Sequence, residues 1–377
     1  MLCFMSNISV IAEENPPADV QAAPPIETAG KAAILMDIKT GKTLFEKNSH
    51  ERLAPASITK VMTLLLVMEA VESGRIGIED EVVTSDHAAS MGGSQIWLEK
   101  GEIMTVNDMV KATCVASAND AAVALGEHLA GTEPAFVEMM NKRAEQLGMA
   151  DTTFRNACGL DEEGHMTSAH DIALMSRELI QHELIKTYSK IWMDSLRNGE
   201  TQLVNTNRLV RFYEGITGLK TGTTDAAGVC VSATAERGGL GLVAVVLGCS
   251  TGDERNETAR AMLDYGFANY ASVKMDTKGL NITDIKVLHG VKSRAAVAAD
   301  GDCYVLMPKG REKEILQTVT LSDDVLAPVE KSQILGKVTV TLGSEVLGEY
   351  MIRAGESIAK MTVGKALGVL FKELLRV

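Results

Sequence analysis

Three short groups of residues in this chain combine side chains that could carry out acyl transfer. The first is Ser57-Ile58-Thr59-Lys60. Residues three apart share a helix face, so a helix starting here would bring the Ser57 hydroxyl within reach of the Lys60 amine. A serine is a weak nucleophile until a base takes its proton. A lysine can be that base where burial and positive neighbours lower its pKa. A helix N-terminus also leaves free backbone N–H groups and a positive dipole beside Ser57, and both suit an oxyanion. The second group is Ser117-Ala118-Asn119. Its hydroxyl could relay a proton between Lys60 and a leaving group, and its amide could hold a substrate backbone. The third is Lys220-Thr221-Gly222-Thr223, at the end of a predicted strand. A strand edge can pair with an extended peptide. Gly222 admits close approach, Lys220 brings positive charge, and Thr221 and Thr223 bring hydroxyls.

No group is specific alone. Serine and lysine are common, so S-x-x-K arises roughly once by chance in a chain of this length. It recurs at Ser357-Ile358-Ala359-Lys360, in a β-rich region with no long apolar helix behind it. The K-T-G letters recur at Lys39-Thr40-Gly41, in a hairpin turn ahead of Ser57. Both repeats are expected to be structural.

The elements that must position these groups can be read from hydrophobic spacing. Residues 55–73 hold Val61, Met62, Leu64, Leu65, Leu66, Val67, Met68 and Val71. They are apolar on nearly every face, which predicts a buried central helix. Further helices are predicted over 106–130, 136–147, 168–182 and 259–270. Residues 32–48 read as a hairpin, and 215–221, 228–236 and 240–249 as strands, the last two joined at Arg237-Gly238-Gly239. This succession predicts an α/β domain over residues 29–272, a sheet covered by helices. Short apolar runs over 278–361 predict a small all-β domain.

The two ends differ from both domains. Met1 to Ile11 is fairly apolar and reads as a short or truncated export signal, and Pro16, Pro17, Pro24 and Pro25 give the rest of residues 1–28 the character of an extended linker. In residues 362–377, Val363, Ala366, Leu367, Leu370, Phe371 and Leu374 fall at helical spacing, opposite Lys365, Lys372 and Arg376. Such a basic amphipathic helix can lie in a membrane surface or dock on its own domain.

Composition narrows the chemistry further. A net charge of −13 provides no general field for nucleic acid. The six cysteines are scattered without a C-x-x-C pair, and the seven histidines form no H-E-x-x-H pattern. Neither a disulfide framework nor a metal site is implied, and no cofactor is expected.

The order S-x-x-K, S-x-N, K-T-G, at intervals of roughly 60 and 100 residues, is the order of the serine β-lactamase and penicillin-binding superfamily. Within it the chain resembles the low-molecular-mass penicillin-binding proteins that act as serine D-alanyl-D-alanine carboxypeptidases. The likeness extends to the block from Leu53 to Thr63, to Leu147-Gly148-Met149 with Asn156 to Asp161, to Ser168 to Ala173, and to Thr206 to Leu209 leading into Gly218 to Gly222. The resemblance implies a β-lactamase/transpeptidase-like antiparallel sheet sandwiched by helices, followed by the small all-β domain and a terminal amphipathic helix that serves as a peripheral membrane anchor. It implies an enzyme on the outer face of the cytoplasmic membrane that removes the last D-alanine from peptidoglycan stem peptides and is acylated by β-lactam antibiotics.

By the same resemblance, Ser57 is the nucleophile, Lys60 the general base, and Ser117 and Asn119 assist proton transfer and positioning. Backbone N–H groups of Ser57 and Thr223 form the oxyanion hole. Lys220, Thr221, Gly222 and Thr223 bind substrate, and Arg255, in a block running to Phe267, binds its carboxylate. Two positions depart from the family pattern: Ala118 stands where glycine is usual, with a methyl that could crowd the substrate, and Cys158 replaces a frequent histidine. Class A β-lactamases share the three motifs, but the block after Asn119 lacks the expected glutamate, and the extra β domain also argues against them. A protein that only binds wall peptide would not need every motif intact.

Overall fold

The computed structural model describes residues 26–276, 280, 282–299 and 303–374; the segment read as an export signal and nearly all of the linker lie outside them. The central element is a five-stranded sheet. Its strands are β1 (Ala32–Asp37), β2 (Thr43–Lys47), β3 (Ile216–Thr224), β4 (Gly228–Arg237) and β5 (Leu240–Cys249), in the order β2-β1-β5-β4-β3. Every neighbouring pair is antiparallel.

Both faces of this sheet are covered, which explains why its inner strands are apolar without alternation. Side chains alternate between faces along a strand. Ala32, Ile34 and Met36 of β1 join Val243, Val245 and Leu247 of β5 in one core. Ala33 and Leu35 join Leu242, Ala244 and Val246 in the other. The first core is closed by helices α1 (Lys60–Glu72), α2 (Asn119–Ala130) and α3 (Ala169–Leu179). The second is closed by α4 (Gly252–Asn269) through Ala259, Met262, Leu263 and Phe267. A helix buried between a sheet and other helices must be apolar all round, as α1 is.

One predicted element is broken. The helix expected over 106–130 runs only through Val106–Lys111, passes through a wide turn at Ala112–Ala116, and stops at Ser117, whose backbone is left-handed (φ 63°, ψ 28°). A new helix, α2, then starts at Asn119. Wide helical turns of this kind recur at functional sites, and here the break falls on the second motif.

After α4 the chain enters β-rich structure. Tyr270–Lys274 pairs with Tyr304–Pro308. A four-stranded sheet contains Ile315–Leu321, Ile334–Leu342 and Glu345–Ala354, and a three-stranded sheet lies beside it. These sheets have small apolar cores of their own. Leu306 reaches into the α4-side core, Lys42 pairs with Glu345 at 2.8 Å, and Lys39 lies 3.6 Å over the Tyr304 ring. Both decoy motifs are structural. Thr40 bonds Asp37 through its N–H and its hydroxyl, closing the first hairpin, while Ser57's counterpart Ser357 accepts from the N–H of Lys331. The last described element is helix α5 (Val363–Leu374), with Val363, Leu367 and Phe371 exposed at steps of four. No helix among the described residues is long and apolar enough to cross a membrane.

The tightest approach in the fold lies at the start of α1. Gly159 has φ +88°, and a Cβ built on it would lie 1.9 Å from the Ala56 carbonyl oxygen. Gly74 has φ +70° with nothing within 4 Å of its Cβ position. Gly74→Ala is therefore expected to lose only the left-handed strain, about 1–2 kcal/mol. Gly159→Ala should add an overpacking term of about 1–3 kcal/mol. Thermal unfolding of the two variants side by side checks this; equal losses would contradict the contact.

Candidate active site

The site begins with a turn of 3-10 helix, Ala56–Thr59, that leads into α1. Ala56 holds a left-handed backbone (φ 48°), and a chain of hydrogen bonds fixes the turn. The N–H of Arg155 donates to His165 Nδ1 at 2.9 Å. A backbone N–H can only donate, so the neutral ring carries its proton on Nε2. Nε2 lies 2.8 Å from the Thr59 hydroxyl and donates to it, and that hydroxyl donates to the Ala56 carbonyl at 2.9 Å. Burial pushes the His165 pKa down to about 4, so the ring stays neutral and the direction of this chain holds near pH 7.

Lys60 opens α1 with its side chain wholly buried. Its ammonium has three protons and three acceptors: Ser57 Oγ at 3.0 Å, Asn119 Oδ1 at 2.6 Å and the Cys158 carbonyl at 2.6 Å. Burial lowers its pKa to about 8, against opposing pulls from Cys158 and Asp120. An amine in that range, bonded to a half-buried serine hydroxyl, can exchange a proton with it near neutral pH.

The second motif arrives at the break before α2. Asn119 is clamped from several sides: Oδ1 receives Lys60, Nδ2 donates to the Gly92 carbonyl at 2.6 Å, and its backbone N–H donates to the Ser94 carbonyl at 2.7 Å. Ser117, two residues before Asn119, is nearly buried and is not bonded to Lys60, whose three protons are already received. The Ala118 methyl does not stand in the cleft. It is fully buried in the helical core, so crowding of substrate by this residue is corrected.

The third motif forms the C-terminal end of β3, the edge strand of the sheet. Lys220 is buried and donates to the Thr221 carbonyl at 2.9 Å. Burial, with repulsion from Lys60 and Arg255, lowers its pKa to about 7. Thr221 donates to the Thr206 hydroxyl at 2.7 Å, and Thr223 is exposed and donates to the Gly222 carbonyl at 2.8 Å. Glycine at 222 also meets a constraint within the chain itself. A Cβ there would lie 3.0 Å from the N–H nitrogen of Ser57 and 3.1 Å from that of Ile58. The strand thus packs directly on the turn that carries Ser57. Arg255, in the first turn of α4, is nearly buried and shares the Asn256 side-chain oxygen through Nε and Nη2 at 3.2 and 3.1 Å.

Several contributors carried no usable signal in the sequence. Cys158 acts through its carbonyl, so its side-chain type is silent, and its thiol is buried. His165 belongs to none of the three motifs. Asp120, next to Asn119, is fully buried and receives the N–H groups of Ile96 and Leu98, each at 3.1 Å. Of the acidic residues near the 156–163 loop, Glu133 accepts from Ala157 N–H and pairs with His87, and Glu162 is exposed and accepts from Asn156. None of them bonds Ser57 or Lys60.

Comparison with known proteins agrees with this geometry. Residues 18–251 match the D-alanyl-D-alanine carboxypeptidase family, peptidase S11, and residues 270–360 match the C-terminal domain of penicillin-binding protein 5. The chain is 43% identical over 334 residues to the D-alanyl-D-alanine carboxypeptidase DacF of Bacillus subtilis, covering 88% of this chain and 86% of the relative. The fold is similar to that of penicillin binding protein 5 from Haemophilus influenzae, with a TM-score of 0.81 at 29% identity over 89% of this chain and 99% of that one. It is also similar to penicillin-binding protein D2 from Listeria monocytogenes in its ampicillin bound form, with a TM-score of 0.59 at 32% identity over 65% of this chain and all of that one. A buried lysine on a serine at the head of a central helix, an edge strand beside it and two family matches in sequence order lead to one conclusion: this chain belongs to the D-alanyl-D-alanine carboxypeptidase family.

Proposed function

We propose that Ser57 is the nucleophile of a carboxypeptidase that removes the terminal D-alanine of peptidoglycan stem peptides, and that Lys60 is its general base. The observation that carries this is the buried Lys60 ammonium, 3.0 Å from Ser57 Oγ with its pKa drawn down to about 8. Neutral Lys60 takes the hydroxyl proton while Oγ bonds to the carbonyl carbon between the two D-alanines. The developing oxyanion is received by the backbone N–H groups of Ser57 and Thr223, and donors of this kind are worth a few kcal/mol. Collapse breaks the C–N bond. The leaving amine takes a proton that passes from Lys60 by way of Ser117, and Asn119 holds the peptide and Lys60 in place. Water then cleaves the acyl-enzyme.

In this reading the extended peptide lies along the free edge of β3, with Thr221, Gly222 and Thr223 beside it. Lys220 and Arg255 attract its terminal carboxylate. β-Lactam antibiotics acylate Ser57 by the same first step, in keeping with the ampicillin bound form of the Listeria relative. Because the substrate is cell-wall polymer, the enzyme works outside the cytoplasm. Helix α5 attaches it to the membrane surface through the face bearing Val363, Leu367 and Phe371, exposed by 80%, 52% and 66%.

Three outcomes are expected. Release of D-alanine from a synthetic peptide ending in D-Ala-D-Ala should vanish in Ser57→Ala and fall about 10²–10⁴-fold in Lys60→Ala. Release that survives Ser57→Ala would mean another serine is the nucleophile. The acylation rate at saturating penicillin should rise about tenfold per pH unit and level off above about pH 8, because Lys60 becomes a base only on losing its proton. A flat profile from pH 6 to 10 would remove Lys60 from that role. Removing residues 363–377 should abolish co-sedimentation with anionic lipid vesicles without changing D-alanine release; unchanged partitioning would remove the anchor.

A further inference from the structure

The segment from Gly92 to Leu98 has no regular strand or helix of its own, yet it is tied to the head of α2 at alternate residues. The Gly92 and Ser94 carbonyls receive the side chain and backbone of Asn119 at 2.6 and 2.7 Å. The Ile96 and Leu98 N–H groups both donate to Asp120 Oδ2 at 3.1 Å. Oδ1 of Asp120 also accepts from the N–H of Ala121 at 2.9 Å. Asp120 is completely buried, and among the described residues no lysine or arginine lies within ion-pair distance of it. A buried carboxylate satisfied only by backbone N–H groups is a costly way to secure a loop, and its neighbour in sequence is the residue that receives Lys60.

We propose that Asp120 is a positioning residue for the acyl transfer: its carboxylate holds the 92–98 segment and Asn119 in register and stands as the fixed negative charge of the Lys60 site. This rests on the assignment of Lys60 as the base. The charged and titratable groups facing Lys60 are Asp120 from α2, Lys220 from β3 and the Cys158 thiol from the loop; Arg197, whose Nη1 donates to the Ile96 carbonyl at 2.9 Å, also feels Asp120. Asp120 acts on Lys60 against burial, holding its proton to higher pH. Removing the charge lets the ammonium lose its proton at lower pH. Removing the acceptor loosens Asn119 and with it the geometry of Ser57 and Lys60.

The experiment is the rate of acylation by a saturating fluorescent penicillin, followed from pH 5.5 to 10 on the full chain. Asp120→Asn keeps the shape but loses the charge, and its amide must face two N–H groups. Its profile should show a midpoint displaced to lower pH and a plateau reduced by on the order of 10- to 100-fold, the scale of a small misplacement of reacting groups. Asp120→Glu keeps the charge on a longer stem and should show the lowered plateau with the midpoint retained. An unmoved midpoint in Asp120→Asn would overturn the electrostatic part, and an undiminished plateau would overturn the positioning part. Asp120→Ser provides a second neutral variant that leaves room in the core. If neither neutral variant folds, as judged by near-ultraviolet circular dichroism, Asp120 is a folding residue and the proposal fails. Ser57→Ala run in parallel keeps the two readings apart: labelling that persists there defeats the nucleophile assignment, whatever the Asp120 variants show.

Discussion

A primary ammonium removed from water must have its protons received, and the buried Lys60 imposes that demand on everything around it. Its three acceptors come from three separate pieces of chain: the nucleophile turn, the head of α2, and the loop that follows residue 156. None of these can shift without leaving a donor unmet in an apolar surround. The same burial brings the amine into a useful pKa range. Structural burden and chemical competence therefore have one cause.

The turn that carries Ser57 is held by close packing as much as by hydrogen bonds. Gly159 presses on it from the loop side at a distance that excludes a Cβ, and Gly222 from β3 at one where a Cβ would push its neighbours by a few tenths of an ångström. The Arg155–His165–Thr59–Ala56 chain supplies direction. A left-handed alanine at 56 is sterically unfavourable on its own. It persists because the two glycine contacts and the Thr59 bond leave the turn no other place. The sheet contributes rigidity: with both faces buried, β3 cannot rotate away from the turn it touches.

Much of this was legible in the residues. The apolar wrap of α1, the apolar runs of β4 and β5 with the turn between them, and the first hairpin all follow local rules, and the structure has them. The three motifs could be read because each needs particular side chains. What escaped has a common physical origin. Cys158 contributes a carbonyl, which every residue possesses. The wide turn at Ala112–Ala116 leaves little trace, because a local change of helical pitch needs no special residue type, whereas Ser117 and Asn119 are residues that favour helix ends. The short helix Glu183–Ser189 and the hairpin of Met193–Leu196 with Thr201–Val204 are small elements with little periodicity, placed by tertiary contacts. Gly222 was read as space for a ligand, and its Cβ position is also crowded by the chain's own backbone. A sequence shows that a glycine is needed; which atoms require it depends on a partner 165 residues away.

The charges of the site form a final constraint. The chain as a whole carries −13, yet Lys60 and Arg255 both lie within electrostatic reach of Lys220, and all three are buried and lowered in pKa chiefly by burial. Lys220 is drawn to about 7 in part because Lys60 and Arg255 repel its proton. Two neighbouring lysines of this kind titrate as a pair. In the proposed complex, a substrate carboxylate placed between Lys220 and Arg255 relieves that repulsion and favours the charged form of Lys220.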